Sequence, residues 1–253
     1  MTWVAHDRPI ISGTELMQFF FNPTSFDDPA QLLFAEHVAK GRILEAVETG
    51  SDLIAGVSTI APDGVTALLI AVERENRAMV SALLRAGANP NGGPNRAPIN
   101  QAVYNSNTEI LKDLLDAGAD PNGMMQTRPA LSNAALHNLI AAAKLLLSYN
   151  ADINSRNGIG ITALSDAAAA QNWDMVNLLM DHGASIWIAA PASGSTMPRF
   201  AINDRMDPNS ALWRSREAAI QKIKAAGFPW PPPHPKEVKR LLSEGKWPPP
   251  QAH

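Results

Sequence analysis

Cysteine is absent from all 253 residues, which excludes disulfides, thiolate metal sites and a cysteine nucleophile. No apolar stretch approaches the ~20 residues that a helical membrane span needs. An excess of cations is missing too. The 21 Lys and Arg stand against 24 Asp and Glu, which gives no reason to expect nucleic acid, whose binding normally requires a basic stripe. Glycine-rich phosphate loops are lacking, because Asn91-Gly92-Gly93-Pro94 has neither the lysine nor the helix pattern that should follow. The histidines His6, His37, His137, His182, His234 and His253 include no two at a metal-binding helical spacing, and none sits beside a serine in an elbow-like glycine context. Catalytic residues, cofactor and metal are therefore each expected to be none, and the chain is read as a non-enzyme.

What is present is periodicity. Gly-Ala-Asn-Pro-Asn at 87–91 returns as Gly-Ala-Asp-Pro-Asn at 118–122, as Asn-Ala-Asp-Ile-Asn at 150–154 and, decayed, as Gly-Ala-Ser-Ile-Trp at 183–187. Ala88, Ala119, Ala151 and Ala184 are spaced by 31, 32 and 33 residues. A second block, Thr66-Ala67-Leu68, Ala97-Pro98-Ile99, Pro129-Ala130-Leu131 and Thr162-Ala163-Leu164, keeps the same changing spacing. Recurrence at that period marks a stacked-repeat protein, in which each unit buries its face only against its neighbours.

The two blocks resemble the ankyrin repeat, where a Thr-Pro-Leu-His-like turn opens a first helix and Gly-Ala-Asp closes a second. The implied fold is an all-α solenoid of about six helix-turn-helix units. Local chemistry agrees. Thr66 and Thr162 can cap a helix start, and Pro98 and Pro129 lose nothing there by lacking an N–H. Gly87, Gly118 and Gly183 suit a left-handed helix end, with Asn150 as the next most tolerant substitute. Ala71, Ala102, Ala134 and Ala167 allow close approach of inner helices, and the pairs Leu83-Leu84, Leu114-Leu115, Leu145-Leu146 and Leu178-Leu179 supply the buried side of the outer ones.

The organisation read from this is an N-terminal extension over 1–29, repeats over 30–227 and a Pro/Trp-rich cap with a short helix over 228–253. The units fall near 30–60, 61–93, 94–124, 125–156, 157–189 and 190–227. In the last, Thr196 to Gly227 spans 31 residues where Thr66 to Gly87 spans 21, so an insertion is expected near 203–213. The Trp-Pro-Pro-Pro segments beginning at Trp230 and Trp247 read either as a seal over the last helices or as polyproline ligands. Residues 1–29, with Glu15 just before Phe19-Phe20-Phe21, do not read as a signal peptide.

The resemblance further implies a concave face made from hairpin tips and inner-helix ends. Its exposed positions before the opening turns are Val65, Arg96, Arg128 and Ile161; those ending the inner helices include Arg74, Tyr104, Asn105 and His137. Met125 lies on a hairpin, Trp187 replaces the closing asparagine, and Asp204, Arg205, Asp207 and Trp213 lie in the insertion. Arginine and aromatic side chains carry much of the energy at interfaces, so the expected partner is a protein with an acidic surface patch, bound 1:1. The chain is also similar to stand-alone ankyrin proteins of Gram-negative bacteria, several of which are immunity proteins for type VI secreted effectors such as phospholipases. That implies inhibition of a cognate toxin in the periplasm, with a leader outside the sequence given. The alternatives are a cytoplasmic scaffold or regulator, and a small-molecule-binding or hydrolytic protein using the insertion.

Overall fold

The computed structural model of the protein describes residues 28–53, 56–58, 60–61, 64–202 and 207–250. Residues 1–27 of the expected extension, together with Asp204 and Arg205, lie outside the described residues. The first helix, α1 (Pro29–Ala39), starts inside that extension: Asp28 is its N-cap, accepting from the Ala30 N–H at 2.9 Å, and Pro29 occupies the first turn.

Helix pairs follow in the expected rhythm: α1 with α2 (Ile43–Ser51), α3 (Ala67–Glu73) with α4 (Arg77–Arg85), and α5 (Pro98–Tyr104) with α6 (Thr108–Asp116). Next come α7 (Ala130–Leu136) with α8 (Ile140–Ser148) and α9 (Ala163–Ala169) with α10 (Trp173–Asp181). The inner helices α1, α3, α5, α7 and α9 pack in series, and the outer helices α2, α4, α6 and α8 do the same behind them. Ala71, Ala102, Ala134 and Ala167 are fully buried where the inner helices meet, as are Leu83, Leu114, Leu146 and Leu179 on the outer row.

Capping chemistry explains the boundaries. The Thr66 hydroxyl accepts from the Leu69 N–H at 3.2 Å and the Thr162 hydroxyl from Ser165 at 3.4 Å. Asn76 and Asn107 cap α4 and α6 in the same way, from Met79 and Ile110 at 3.0 Å. At the end of α4, Gly87 has φ of +91°. Its N–H reaches the Leu84 carbonyl at 3.0 Å while Ala88 reaches Leu83 at 2.9 Å, the two bonds of a Schellman ending.

The recurring pentapeptide is a wiring element between units. Its first Asn or Asp accepts from the N–H of the second Asn: Asn89 from Asn91, Asp120 from Asn122 and Asp152 from Asn154, at 2.9–3.0 Å. The second Asn then accepts a backbone N–H of the following unit, Asn91 from Asp120 at 2.7 Å, Asn122 from Asp152 at 2.7 Å and Asn154 from Ser185 at 2.9 Å. Trp187 occupies the next position, and its ring packs on Phe228 at 4.5 Å between centroids and on Trp247 at 5.9 Å.

The sixth unit departs from the others in its helices. Its inner element is a 3-10 helix, Met197–Ile202, and its outer helix, α11 (Ala211–Ala225), has 15 residues against the nine of α4. Much of the extra length is therefore helical, and Trp213 sits in the first turn of α11. The chain then folds back over the stack: Trp247 Nε1 donates to the Trp187 carbonyl at 2.9 Å, and Lys224 Nζ lies 5.2 Å from the Trp230 ring centre. The last helix, α12 (Pro235–Ser243), buries Val238 and passes so near Gly194 that a Cβ there would collide with its backbone.

Candidate binding groove

Stacking the units brings the ends of their inner helices into one row. Arg74, Asn105, His137 and Ala170 are the C-cap residues of α3, α5, α7 and α9. Tyr104, one residue earlier, is 59% exposed and meets the His137 ring edge to face at 6.0 Å. Arg74 and His137 are exposed as well. Each inner-to-outer turn contains one residue in the left-handed region, Glu75, Ser106, Asn138 and Gln171, with φ between +54° and +60°. Non-glycine residues adopt this conformation at some cost, and here it turns the chain sharply enough to present the preceding side chains.

Several predicted contact residues have internal work. Asn105 is only half-exposed: its amide donates to the Val72 carbonyl of the preceding unit at 3.1 Å and its oxygen accepts from Gln101 at 2.9 Å. Arg128 is also half-buried. Its guanidinium lies 3.3 Å from the Asp166 carboxylate of the following unit, and its carbonyl accepts from the buried Asn100 at 2.8 Å. Burial pushes the Asp166 carboxyl above the usual range, and the Arg128 charge draws it part of the way back. Val65 is buried at 3% exposure, against the expectation that it faces outward.

Arg96 is half-buried on its hairpin, where its backbone bridges to Met125 of the next hairpin. It lies close enough to Glu73 to oppose, with Arg74, the upward shift that burial imposes on that carboxyl. Met125 is half-buried in the short ladder Met124–Met125 with Arg128–Pro129, leaving Met124 as the more exposed partner at 40%. Ile161 is half-buried while Ile159 nearby is 66% exposed. Trp187 belongs to the aromatic cluster at the C-terminal end, away from the Tyr104 and His137 pair. Asp207 is exposed, but its carboxylate accepts from Asn209 at 2.9 Å and its carbonyl from the Ser210 hydroxyl at 2.7 Å, forming the turn into α11. Trp213 is half-buried.

Sequence reasoning missed the continuation of the row into the sixth unit. Ala168, Ala169 and Gln171 on one side and Arg199, Phe200 and Ile202 on the other line a depression of about 340 Å³. Phe200 is 37% exposed. Arg199 makes no ion pair among the described residues. The signal was the change from Tyr104 and His137 to Ala169 and Ala170 at matching positions: small side chains leave a hollow. Among the described residues no group of three or more His, Asp or Glu is arranged to hold a metal ion, and no helix is long and apolar enough to cross a membrane.

A family model for ankyrin repeats, built on three copies, matches residues 44–125 and 99–190, together more than half of the chain. No curated protein matches it.

Proposed function

The chain belongs to the ankyrin-repeat family, a family of protein-interaction modules, and on that premise we propose that it grips one protein partner along the row of inner-helix ends. The observation that carries this reading is the exposed Tyr104 and His137 pair. Two rings held edge to face across a unit boundary, with Arg74 exposed on one side and the Arg199–Phe200 hollow on the other, stand largely in solvent. They supply the rigid aromatic and guanidinium groups that anchor interfaces. Arg74 and Arg199 favour a partner with an acidic patch, which would speed the encounter more than tighten it.

We further propose that the partner is a toxin and that this protein is its immunity factor, inhibiting it in a 1:1 complex without turnover and meeting it in the periplasm. Supporting it are the binding architecture and the resemblance to stand-alone ankyrin proteins of Gram-negative bacteria, several of which are immunity proteins. Such an inhibitor needs a Kd of roughly 1 nM or below, about 12 kcal/mol, which a long rigid surface can supply. The test is co-expression with the neighbouring gene product directed to the periplasm. Protection by the wild type that is lost in Tyr104→Ala/His137→Ala supports the proposal. A neighbour that is harmless, or equally toxic with this protein present, refutes the immunity role and favours a scaffold.

A further inference from the structure

A second concavity lies away from the row of inner-helix ends, between the hairpins of the last two units and the C-terminal segment. Its volume is about 450 Å³. Its apolar walls include Trp187, Ile188, Leu242 and Trp247, and Arg156 and Lys239 also line it. The two indoles are fixed relative to one another: their centroids are 5.9 Å apart and Trp247 Nε1 is tied to the Trp187 carbonyl at 2.9 Å. A wall held this way loses little freedom when a ligand enters, which favours binding.

The charges are distributed unevenly around it. On α12 and just beyond, Arg240 pairs with Glu244 at 2.5 Å and Lys246 with the same carboxylate at 2.9 Å. Elsewhere Arg77 pairs with Glu109 and Asp113, Lys112 with Asp116, and Lys222 with Asp181. Arg156 and Lys239 are exposed, and neither makes an ion pair among the described residues. An apolar cleft whose two cations make no ion pair among the described residues fits a ligand that brings an apolar group and carboxylates together. It stays open to solvent along one side, so a chain can enter and leave it. A small molecule would normally be enclosed more fully. Two cations in a chain of net charge −3 are too few for nucleic acid.

We propose that this cleft is a second recognition site, which takes an acidic linear segment of a protein: an apolar side chain against Trp187 and Trp247, with neighbouring carboxylates on Arg156 and Lys239. It is built by elements that the repeat does not supply, and it does not depend on the reading of the groove. The probe is the acetylated, amidated hexapeptide Asp-Glu-Leu-Phe-Asp-Glu, titrated into the full chain by calorimetry and by tryptophan fluorescence. Its analogue Asn-Gln-Leu-Phe-Asn-Gln and free 3-phenylpropionate serve as comparisons.

Saturable binding of the acidic peptide is expected, weakened roughly tenfold or more by Arg156→Glu/Lys239→Glu and to a similar degree in the neutral analogue. Tyr104→Ala/His137→Ala should leave it unchanged. Arg156→Gln/Lys239→Gln gives the same comparison with less perturbation, and circular dichroism checks that each variant is folded. Equal affinity in the charge-reversed chain or for the neutral peptide overturns the proposal. So does an absence of saturation up to about 1 mM. Phenylpropionate binding as tightly as the peptide would make the cleft a small-anion site instead and overturn the assignment to a protein segment.

Discussion

Replacing Arg128 by alanine is expected to destabilise the fold, contrary to the behaviour of a freely exposed interface anchor. Its partner Asp166 keeps only 10% of its side chain in contact with solvent, while the arginine keeps 33%. Without the guanidinium, the carboxylate stays in a poorly solvated site with its main counter-charge gone. Breaking a fully buried pair costs ~3–5 kcal/mol and breaking an exposed one ~0–1 kcal/mol. With one member a third exposed and a separation of 3.3 Å, about 1–2 kcal/mol at pH 7 is the expected loss. The sign of its pH dependence follows from the raised Asp166 pKa. Below the ordinary aspartate range both folded and unfolded chains hold the proton, and the missing arginine costs little. As pH rises, the unfolded chain releases its proton first, so it binds fewer protons than the native state and stability falls. The fall continues until the folded carboxyl has also ionised. Removing Arg128 raises the folded pKa further, which widens that window and deepens the loss. Urea unfolding at pH 7 and again near the lower edge of the window, with m-values compared, measures both effects. Arg128→Ala/Asp166→Asn should recover most of the stability, since the uncompensated charge is then gone. A single variant within about 0.5 kcal/mol of wild type at pH 7, or a loss that is the same at both pH values, would refute the reasoning.

Leu115→Ala should cost about 2–5 kcal/mol in the same assay, because a side chain buried on the outer row leaves a cavity. Asn122→Ala removes the acceptor of the Asp152 N–H and should cost about 1 kcal/mol; amide exchange at Asp152 should rise with it. Trp247→Ala opens the aromatic cluster on Trp187 and Phe228 and should lower the melting temperature in calorimetry, whereas an unchanged value would mean that the segment does not brace the stack. Tyr104→Ala should stay within about 0.5 kcal/mol of wild-type stability, its ring being mostly in solvent.

The parts of this fold that were legible in sequence are those decided within one unit. Thr66, Thr162, Gly87 and Asn150 act on backbone groups a few residues away, so residue type and spacing were sufficient. The less legible parts depend on a neighbouring unit. Arg128 looked like a free anchor because its counter-charge, Asp166, lies 38 residues further on. Asn105 looked available because its bond runs back to Val72, 33 residues earlier. The left-handed residues of the inner turns escaped notice because Glu75, Ser106, Asn138 and Gln171 are four different polar residues and none is glycine; the turn imposes the conformation on whatever stands there. In the candidate groove Tyr104 and His137 stand side by side, a neighbourhood that the alignment of inner-helix ends implies, whereas the same alignment gives no sign of Arg199 and Phe200. The 3-10 form of Met197–Ile202 breaks the register that had carried the alignment of the other units.

The asparagine wiring also governs how the protein can be lengthened. Each of Asn91, Asn122 and Asn154 offers the same acceptor to whatever unit comes next, so a duplicated copy of residues 125–156 placed before Asn157 would find a compatible seat on both sides. The same copy placed after Trp187 would find none, because there an indole stands where the acceptor amide should be. Engineered versions can therefore gain reach on the N-terminal side of Trp187 without disturbing the aromatic end.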